Sequence, residues 1–108
     1  YFSNPQETHG CNTAWLAFPI LIKEGTPFTR KEFQIFLEKR NIQTRVVFTG
    51  NILRQPMCQN ISKKVLKEGY PNADRVMSRG VLLPLHHGMT ESMFSRFHAT
   101  VHKFIEQF

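Results

Sequence analysis

Residues 14–23 read AWLAFPILIK, a short apolar run that ends at Glu24 and Gly25. The run is rich in aromatic and β-branched side chains, and it is too short for the ~20 residues that a membrane-spanning helix needs. It therefore predicts a buried strand and no membrane span. Pro19 lies inside the run and has no backbone N–H, so we expect this strand at a sheet edge or with a bulge.

A helix is predicted at residues 29–40. Thr29 and Glu32 have the spacing of a capping box, in which each side chain bonds the backbone N–H of the other residue. Phe28 and Phe33 flank the box and can pack against each other as a hydrophobic staple. The local signals thus place the start of the helix at Thr29.

The rest of the chain carries further strand and helix patterns. The predicted elements are strands at 44–48 and 81–85 and helices at 61–68, 73–79 and 91–107. Asn72 is expected to cap the helix at 73–79, and Thr90 is expected to cap the helix at 91–107. The helix at 91–107 has an apolar stripe at spacings of three and four. The order β-α-β-α-α-β-α predicts an α+β fold, with a small antiparallel sheet of about three strands and helices packed on it.

Composition limits the size and class of the protein. Its 108 residues predict one domain with a radius of gyration of roughly 13 Å. Residues 1–13 are polar and read as a linker or lead-in, whereas 14–108 have the composition of a domain. Lys and Arg outnumber Asp and Glu by 14 to 8, which gives a net charge of +6 and is compatible with nucleic acid, an anionic small molecule or an acidic partner.

Metal and thiol chemistry have weak support in the sequence. His98 and His102 have helical i, i+4 spacing, but no third ligand has a recognisable spacing, so we expect no metal site. Cys11 and Cys58 form no CxxC pair, and we expect neither zinc nor a disulfide framework. The first 13 residues do not resemble a signal peptide, and a cytoplasmic location is the expectation.

Polar side chains are concentrated in the segment TRVVFTGNILRQP, residues 44–56. Arg45 and Arg54 offer forked cationic donors, and Asn51 and Gln55 offer amide groups, so together they can hold a carboxylate, a phosphate or a sugar hydroxyl. The alternative is that the arginines form surface ion pairs and Asn51 caps a turn. His87 follows the last predicted strand and is a weaker candidate for ligand binding.

Three segments resemble a known family. They are WLAFPILIKEG, TPFTRKEFQIFLEKRNIQTRVVFTGNILRQPM and PNADRVMSRGVLLPLHHGMT. They are similar to the C-terminal domain of the DegT/DnrJ/EryC1/StrS sugar aminotransferases, pyridoxal-phosphate (PLP) enzymes of fold type I. The stretch around residues 41–56 looks closest to the branch of 4-keto-6-deoxy-D-glucose 3-dehydrases of lipopolysaccharide and dideoxysugar biosynthesis. The resemblance covers about residues 14–108.

The resemblance implies that these residues are one domain of a larger enzyme, and that another domain binds the cofactor. PLP or PMP would be bound by a large domain that these 108 residues do not include, so we expect the fragment alone to bind no cofactor and to be inactive. The implied partners are a nucleotide-sugar substrate, the fragment's own large domain, and a second copy in a homodimer. Carried over position by position, the candidate substrate contacts are Arg45, Asn51, Arg54 and Gln55, with His87 as a weaker one. We expect no catalytic residue and no metal ligand in this part.

A basic nucleic-acid-binding module is the alternative function. It rests on the net charge and on the cluster Lys63, Lys64 and Lys67. No aromatic residues alternate with these lysines, as they do in single-strand binding platforms. We therefore expect no nucleic-acid partner and interpret the cluster as a solvated helix face.

Overall fold

The computed structural model describes residues 1–108 and contains one sheet and three α-helices. Its strands are β1 (Phe2–Ser3), β2 (Phe18–Ile22) and β3 (Gly80–Leu83), and its helices are α1 (Arg30–Glu38), α2 (Pro71–Arg79) and α3 (Glu91–Ile105). The sheet is antiparallel with the strand order β1-β2-β3. Short 3-10 turns cover Ile52–Arg54 and Pro56–Cys58. The predicted α+β class with a three-stranded antiparallel sheet is confirmed.

One of the three predicted strands is wrong. The segment 44–48 contributes only an isolated bridge between Arg45 and Leu82, and the third strand of the sheet is Phe2–Ser3, within the expected linker. The segment cannot stay extended, because Phe48 adopts a φ of +48° and the chain turns there. Phe2 instead pairs with Ile22 and packs its ring against the core.

Pro19 lies in the central strand, and the expected edge position is wrong for the strand as a whole. Pro19 pairs with Leu82, whose N–H and C=O both bond Arg45 on the far side of β3. The Pro19 nitrogen therefore faces away from β3, towards the side of β2 where β1 pairs only with Leu21 and Ile22. Proline is tolerated because this part of a central strand has no neighbour on that side.

The core is a cluster of phenylalanine rings between the sheet and the helices. Phe104 of α3 lies 4.8 Å from Phe28, 5.2 Å from Phe33 and 5.0 Å from Phe36, measured between ring centroids. Phe33 has no exposed surface. Tilted and edge-to-face pairs at these separations stabilise a core beyond the area that they bury.

The ends of α1 follow the local sequence signals. The Thr29 hydroxyl accepts from the Glu32 N–H, and the Glu32 carboxylate accepts from the Thr29 N–H at 2.7 Å, which confirms the capping box. The pKa of the Glu32 carboxyl is lowered by the hydrogen bonds that it accepts from the Thr29 N–H and from the Thr29 hydroxyl. At the other end Asn41 adopts a φ of +57° and the Ile42 N–H bonds the Leu37 carbonyl, as in a Schellman motif.

Other helix boundaries differ from the predicted ones. Residues 61–68 are exposed and form no helix, because a short basic segment gains little from helix formation when no neighbouring element covers its apolar side chains. Helix α2 begins at Pro71 with Tyr70 as N-cap residue, so Asn72 lies inside its first turn and does not cap it. Thr90 caps α3 as predicted by accepting from the Met93 N–H, and α3 ends two residues earlier than expected, at Ile105.

The chain is more extended than its length predicts. Its radius of gyration is 16.2 Å, with extents of 50 × 37 × 24 Å. Only 13 of 108 residues are buried, because residues 4–17 and 59–70 run over the surface without regular structure. None of the helices has the length and hydropathy that a membrane crossing would require.

The phenylalanine cluster should dominate the stability of the isolated domain. We expect Phe104→Ala to cost about 3–5 kcal/mol of unfolding free energy, because it opens a cavity among the rings of Phe28, Phe33, Phe36 and Phe108. The matched control Phe48→Ala, at a side chain that is 86% exposed, should change stability by about 0.5 kcal/mol or less. Urea unfolding followed by circular dichroism measures both, and equal effects would contradict this assignment of the core.

Candidate functional site

The loop that follows Phe48 packs closely against α2. Gly50 has a φ of +65°, and a Cβ placed there would lie 2.3 Å from the Cβ of Met77. Both the backbone angle and this close approach require glycine. The contact fixes the loop of residues 49–58 on the surface of α2.

Three side chains of the loop and of α2 form what we call the Asp74 clamp, composed of Asn51, Arg54 and Asp74. Arg54 donates from Nε to Asp74 Oδ1 at 3.0 Å and from Nη2 to Asp74 Oδ2 at 2.9 Å. Asn51 donates from Nδ2 to the same Oδ1 at 2.8 Å. The two donors thus hold one carboxylate of α2 from two sides.

The electrostatics of the clamp favour the ionised pair. Hydrogen bonds from Arg54 and then from Asn51 lower the pKa of Asp74 to about 2, and the charge of Arg54 adds to the effect. The pKa of Arg54 is raised by the same carboxylate. Arg54 therefore stays charged at any physiological pH, and Asp74 stays ionised down to strongly acidic pH.

Asn51 and Gln55 keep the loop in shape. Asn51 is only 5% exposed, and its Oδ1 accepts from the Leu53 N–H at 3.0 Å, so both ends of its amide are occupied within the chain. Gln55 donates from Nε2 to the Thr49 carbonyl at 3.0 Å across the loop. The turn-capping alternative considered for Asn51 is thus what the geometry shows, together with a bond to Asp74.

Arg45 and His87 lie apart from the clamp. Arg45 bonds Leu82 through its backbone, and its side chain is exposed. His87 is exposed in the turn between β3 and α3. Neither side chain makes a hydrogen bond or an ion pair with the clamp. The structure brings together three of the five candidate residues, namely Asn51, Arg54 and Gln55.

Arg54 borders two cavities. A cleft of about 690 Å³ lies on one side, between the end of β2 and α2, and a smaller cavity of about 310 Å³ lies beside Tyr70. The Arg54 side chain is 64% exposed, and its Nη1 makes no hydrogen bond. Asp74 therefore fixes the direction of the guanidinium and leaves one cationic edge free for a carboxylate or phosphate oxygen.

The family profile described as the DegT/DnrJ/EryC1/StrS aminotransferase family matches residues 2–102. The chain belongs to this family. The resemblance seen in the three sequence segments is thereby confirmed, and it extends to the first strand, Phe2–Ser3.

Two curated proteins are similar to this chain in sequence. The lipopolysaccharide biosynthesis protein RfbH of Salmonella typhimurium is 35% identical over 86 residues, which are 80% of this chain and 20% of that protein. The dTDP-4-dehydro-2,6-dideoxy-D-glucose 3-dehydratase of Saccharopolyspora spinosa is 31% identical over 101 residues, 94% of this chain and 22% of the relative. The chain thus spans about a fifth of the length of these relatives.

Two solved structures share the fold. A DegT DnrJ EryC1 StrS aminotransferase from Brucella abortus superposes with a TM-score of 0.78 at 19% identity, over 95% of this chain and 26% of that one. The GDP-4-keto-6-deoxy-D-mannose-3-dehydratase of E. coli, solved with bound hydrated PLP, gives a TM-score of 0.75 at 22% identity, over 93% and 25%. This confirms that the small antiparallel sheet with its helices is the fold of a part of such enzymes.

Members of this family are PLP-dependent, but the residues of this chain do not by themselves fit a covalently held PLP. A Schiff-base lysine needs a desolvated or electropositive pocket that lowers its pKa. All seven lysines of the chain are exposed, at 23, 31, 39, 63, 64, 67 and 103. No group of three metal-ligating side chains comes together either.

Sequence reasoning missed Asp74, the residue around which the clamp is built. Asp74 lies 20 positions beyond Arg54, with two exposed turns and an irregular segment between them. The one signal available was an acidic residue in the first turn of a helix, where the helix dipole favours negative charge. That signal does not indicate which arginine it would meet.

The clamp predicts a specific pH dependence of stability. The Asp74 pKa falls from 3.8 to about 2 on folding, so the carboxylate stabilises the folded chain above pH 4 and loses this contribution as the pH falls towards 2. We expect wild type to be more stable than Asp74→Asn at pH 6 and the difference to shrink between pH 4 and pH 2.

Urea unfolding of both proteins over this pH range provides the measurement. The lowered pKa of Glu32 is present in both proteins, so it cancels in the difference. A stability difference that stays constant from pH 6 to pH 2 would show that Asp74 does not form the clamp in solution.

Proposed function

We propose that the chain is the C-terminal small domain of a PLP- or PMP-dependent enzyme that acts on nucleotide-linked 4-keto-6-deoxy sugars, and that it helps to position the substrate. The complete enzyme is either a 3-dehydrase or an aminotransferase of dideoxysugar or lipopolysaccharide biosynthesis. PLP supplies the electron sink of the reaction when it is bound in the complete enzyme. The residues described here bind and orient the substrate.

The similarity to relatives supports the substrate class. One relative is named as a lipopolysaccharide biosynthesis protein and another as a dTDP-sugar 3-dehydratase. The chain spans 20% and 22% of those two proteins, a share that suits one small domain of a larger enzyme. The free cysteines Cys11 and Cys58 agree with a reducing compartment such as the cytoplasm.

The Asp74 clamp is the main support for the proposal that Arg54 positions the substrate. A guanidinium held on two of its nitrogens has lost most of its rotational freedom before a ligand arrives, so less entropy is lost on binding. Arg54 presents its free edge beside a cleft that is large enough for a small anion. Asn51 acts as a positioning residue for Asp74, and Gln55 holds the loop closed.

Exposed apolar side chains support docking against a large domain. They include Val46, Phe48, Ile52 and Met57, which precede or belong to the loop that carries Arg54. Four such side chains along 12 residues of a monomeric surface indicate an interaction surface. We propose that the family's large domain covers them, that Arg45 and His87 then face the substrate from the rim, and that the complete enzyme is a homodimer.

Arg54 should matter for catalysis in a full-length enzyme that contains this domain. We expect Arg54→Ala to raise the KM for the sugar nucleotide or the amino-acid co-substrate, or to lower kcat, by roughly 30-fold or more, because an anionic group loses its charged donor in a closed site. Arg45→Ala should act in the same direction but less strongly, since no second residue orients its side chain.

Steady-state kinetics with Arg96→Ala as the matched control tests this role. Arg96 lies on α3 and donates to the Arg40 carbonyl, away from the loop. Thermal unfolding of the 108-residue chain should show all three variants folded, because exposed ion pairs contribute little to stability. Unfolding of the Arg54 variant, combined with normal kinetics of the folded fraction of the enzyme, would make the clamp purely structural.

The isolated chain should form no aldimine with PLP. Its seven lysines are exposed, and a lysine outside a desolvated pocket gives only weak, reversible aldimines. Titration with PLP should show no saturable absorbance band above that of a matched amount of free lysine. A saturable band, removed by substitution of one lysine, would identify a real anchor and overturn the assignment of the cofactor site to another domain.

A further inference from the structure

Basic side chains meet in the cleft beside Arg54. The cleft of about 690 Å³ is lined by five of them, Lys23, Arg30, Arg54, Arg75 and Arg79. They come from the end of β2, from the start of α1, from the loop after Gly50 and from two turns of α2. We call this the arginine cleft. Four of its five members were not singled out as ligand-binding residues in the sequence.

The acidic residues in the cleft do not neutralise this charge. The lining contains only two carboxylates, Glu24 and Asp74, so it carries an excess of three positive charges, half of the chain's net +6. Asp74 is already engaged by Arg54 and Asn51. Glu24 approaches Arg79 only at 3.9 Å and its side chain is 88% exposed, so it is a weak partner.

Several donors in the arginine cleft have no partner within the chain. The side chains of Lys23 and Arg75 make no hydrogen bond or ion pair, and the Arg30 guanidinium uses only Nη1, which donates to the Met77 carbonyl at 2.5 Å. The first turns of α1 and α2 also lie in the lining, through Arg30 and Pro71, and their positive helix ends add to the potential. Only two of the 14 lining residues are hydrophobic. Charged and polar residues therefore make up most of the lining.

We propose that the arginine cleft binds a diphosphate group. An excess of three charges from several directions matches an anion with two or three charges and many acceptor oxygens, whereas one carboxylate could satisfy only one of these cations. The volume lies within the range of small-molecule sites. The diphosphate belongs either to a sugar nucleotide or to free pyrophosphate. Only the first source rests on the proposed function.

The test uses the 108-residue chain with inorganic pyrophosphate and CDP-glucose as probes, measured by calorimetry at low salt. We expect pyrophosphate to bind with a dissociation constant below about 1 mM and to weaken as salt is added. Tighter binding of CDP-glucose would identify a sugar nucleotide as the source, and tighter binding of pyrophosphate would identify the free anion. If neither probe binds, the proposal is wrong, while the proposed function is untouched because it is tested by kinetics of the complete enzyme.

A matched pair of double variants separates a site from general attraction to a basic protein. Lys23→Gln with Arg75→Gln removes two charges from the cleft, at exposed side chains without partners, and should weaken pyrophosphate binding roughly tenfold. Lys64→Gln with Lys67→Gln removes the same charge from the exposed segment 61–68 and should change it less than about twofold. Equal effects of the two pairs would overturn the proposal. So would tight binding of a single-stranded oligonucleotide that depends on Lys64 and Lys67, since it would make nucleic acid the ligand.

Discussion

Phe104 joins the parts of the fold that the sequence separates most widely. Its ring contacts Phe28 before α1 and Phe33 and Phe36 within it, while Phe33 also meets Phe2 of the first strand. The sheet, α1 and α3 therefore share one layer of aromatic contacts. With only nine buried hydrophobic residues in the core, there is little other apolar area that could hold α3 in place. The position of α2 and of the loop before it depends on this frame, because α2 packs on β2 and β3 of the same sheet.

Predictions from the sequence succeeded where the signal was local. The capping box of Thr29 and Glu32 and the cap at Thr90 are satisfied within a few residues, so no distant contact can override them easily. The strand predicted at 44–48 does not form, because strand propensity reflects packing against a neighbouring strand on a half-buried surface. Of this segment, only Arg45 pairs with β3. The helix expected at 61–68 failed for the related reason that no element packs on it.

The candidate site was predictable only in part, and for the same physical reason. Asn51, Arg54 and Gln55 lie within one turn-flanked loop, and their polar side chains in an otherwise apolar segment marked them. Asp74 and the basic residues of α2 meet this loop only because Gly50 lets it approach Met77 closely. A contact of that kind depends on packing between distant segments, and neither hydrophobic periodicity nor helix-capping signals contain it.

The Asp74 clamp is compatible with the proposed role of Arg54 in an enzyme whose domains cover the substrate. In the isolated chain the Arg54 guanidinium is mostly hydrated, and its attraction for an anion is weak because water screens it. If a second domain covers the apolar side chains near Phe48, as we propose, water is removed from the same region and the attraction between the guanidinium and an anion strengthens. Asp74 balances the charge of Arg54 and fixes the direction of its guanidinium before a ligand binds. Arg54 therefore stays paired and ordered when the closed site holds no substrate. On this proposal Arg54 stays ordered in water, and its attraction for an anion is stronger in the assembled enzyme than in the isolated chain.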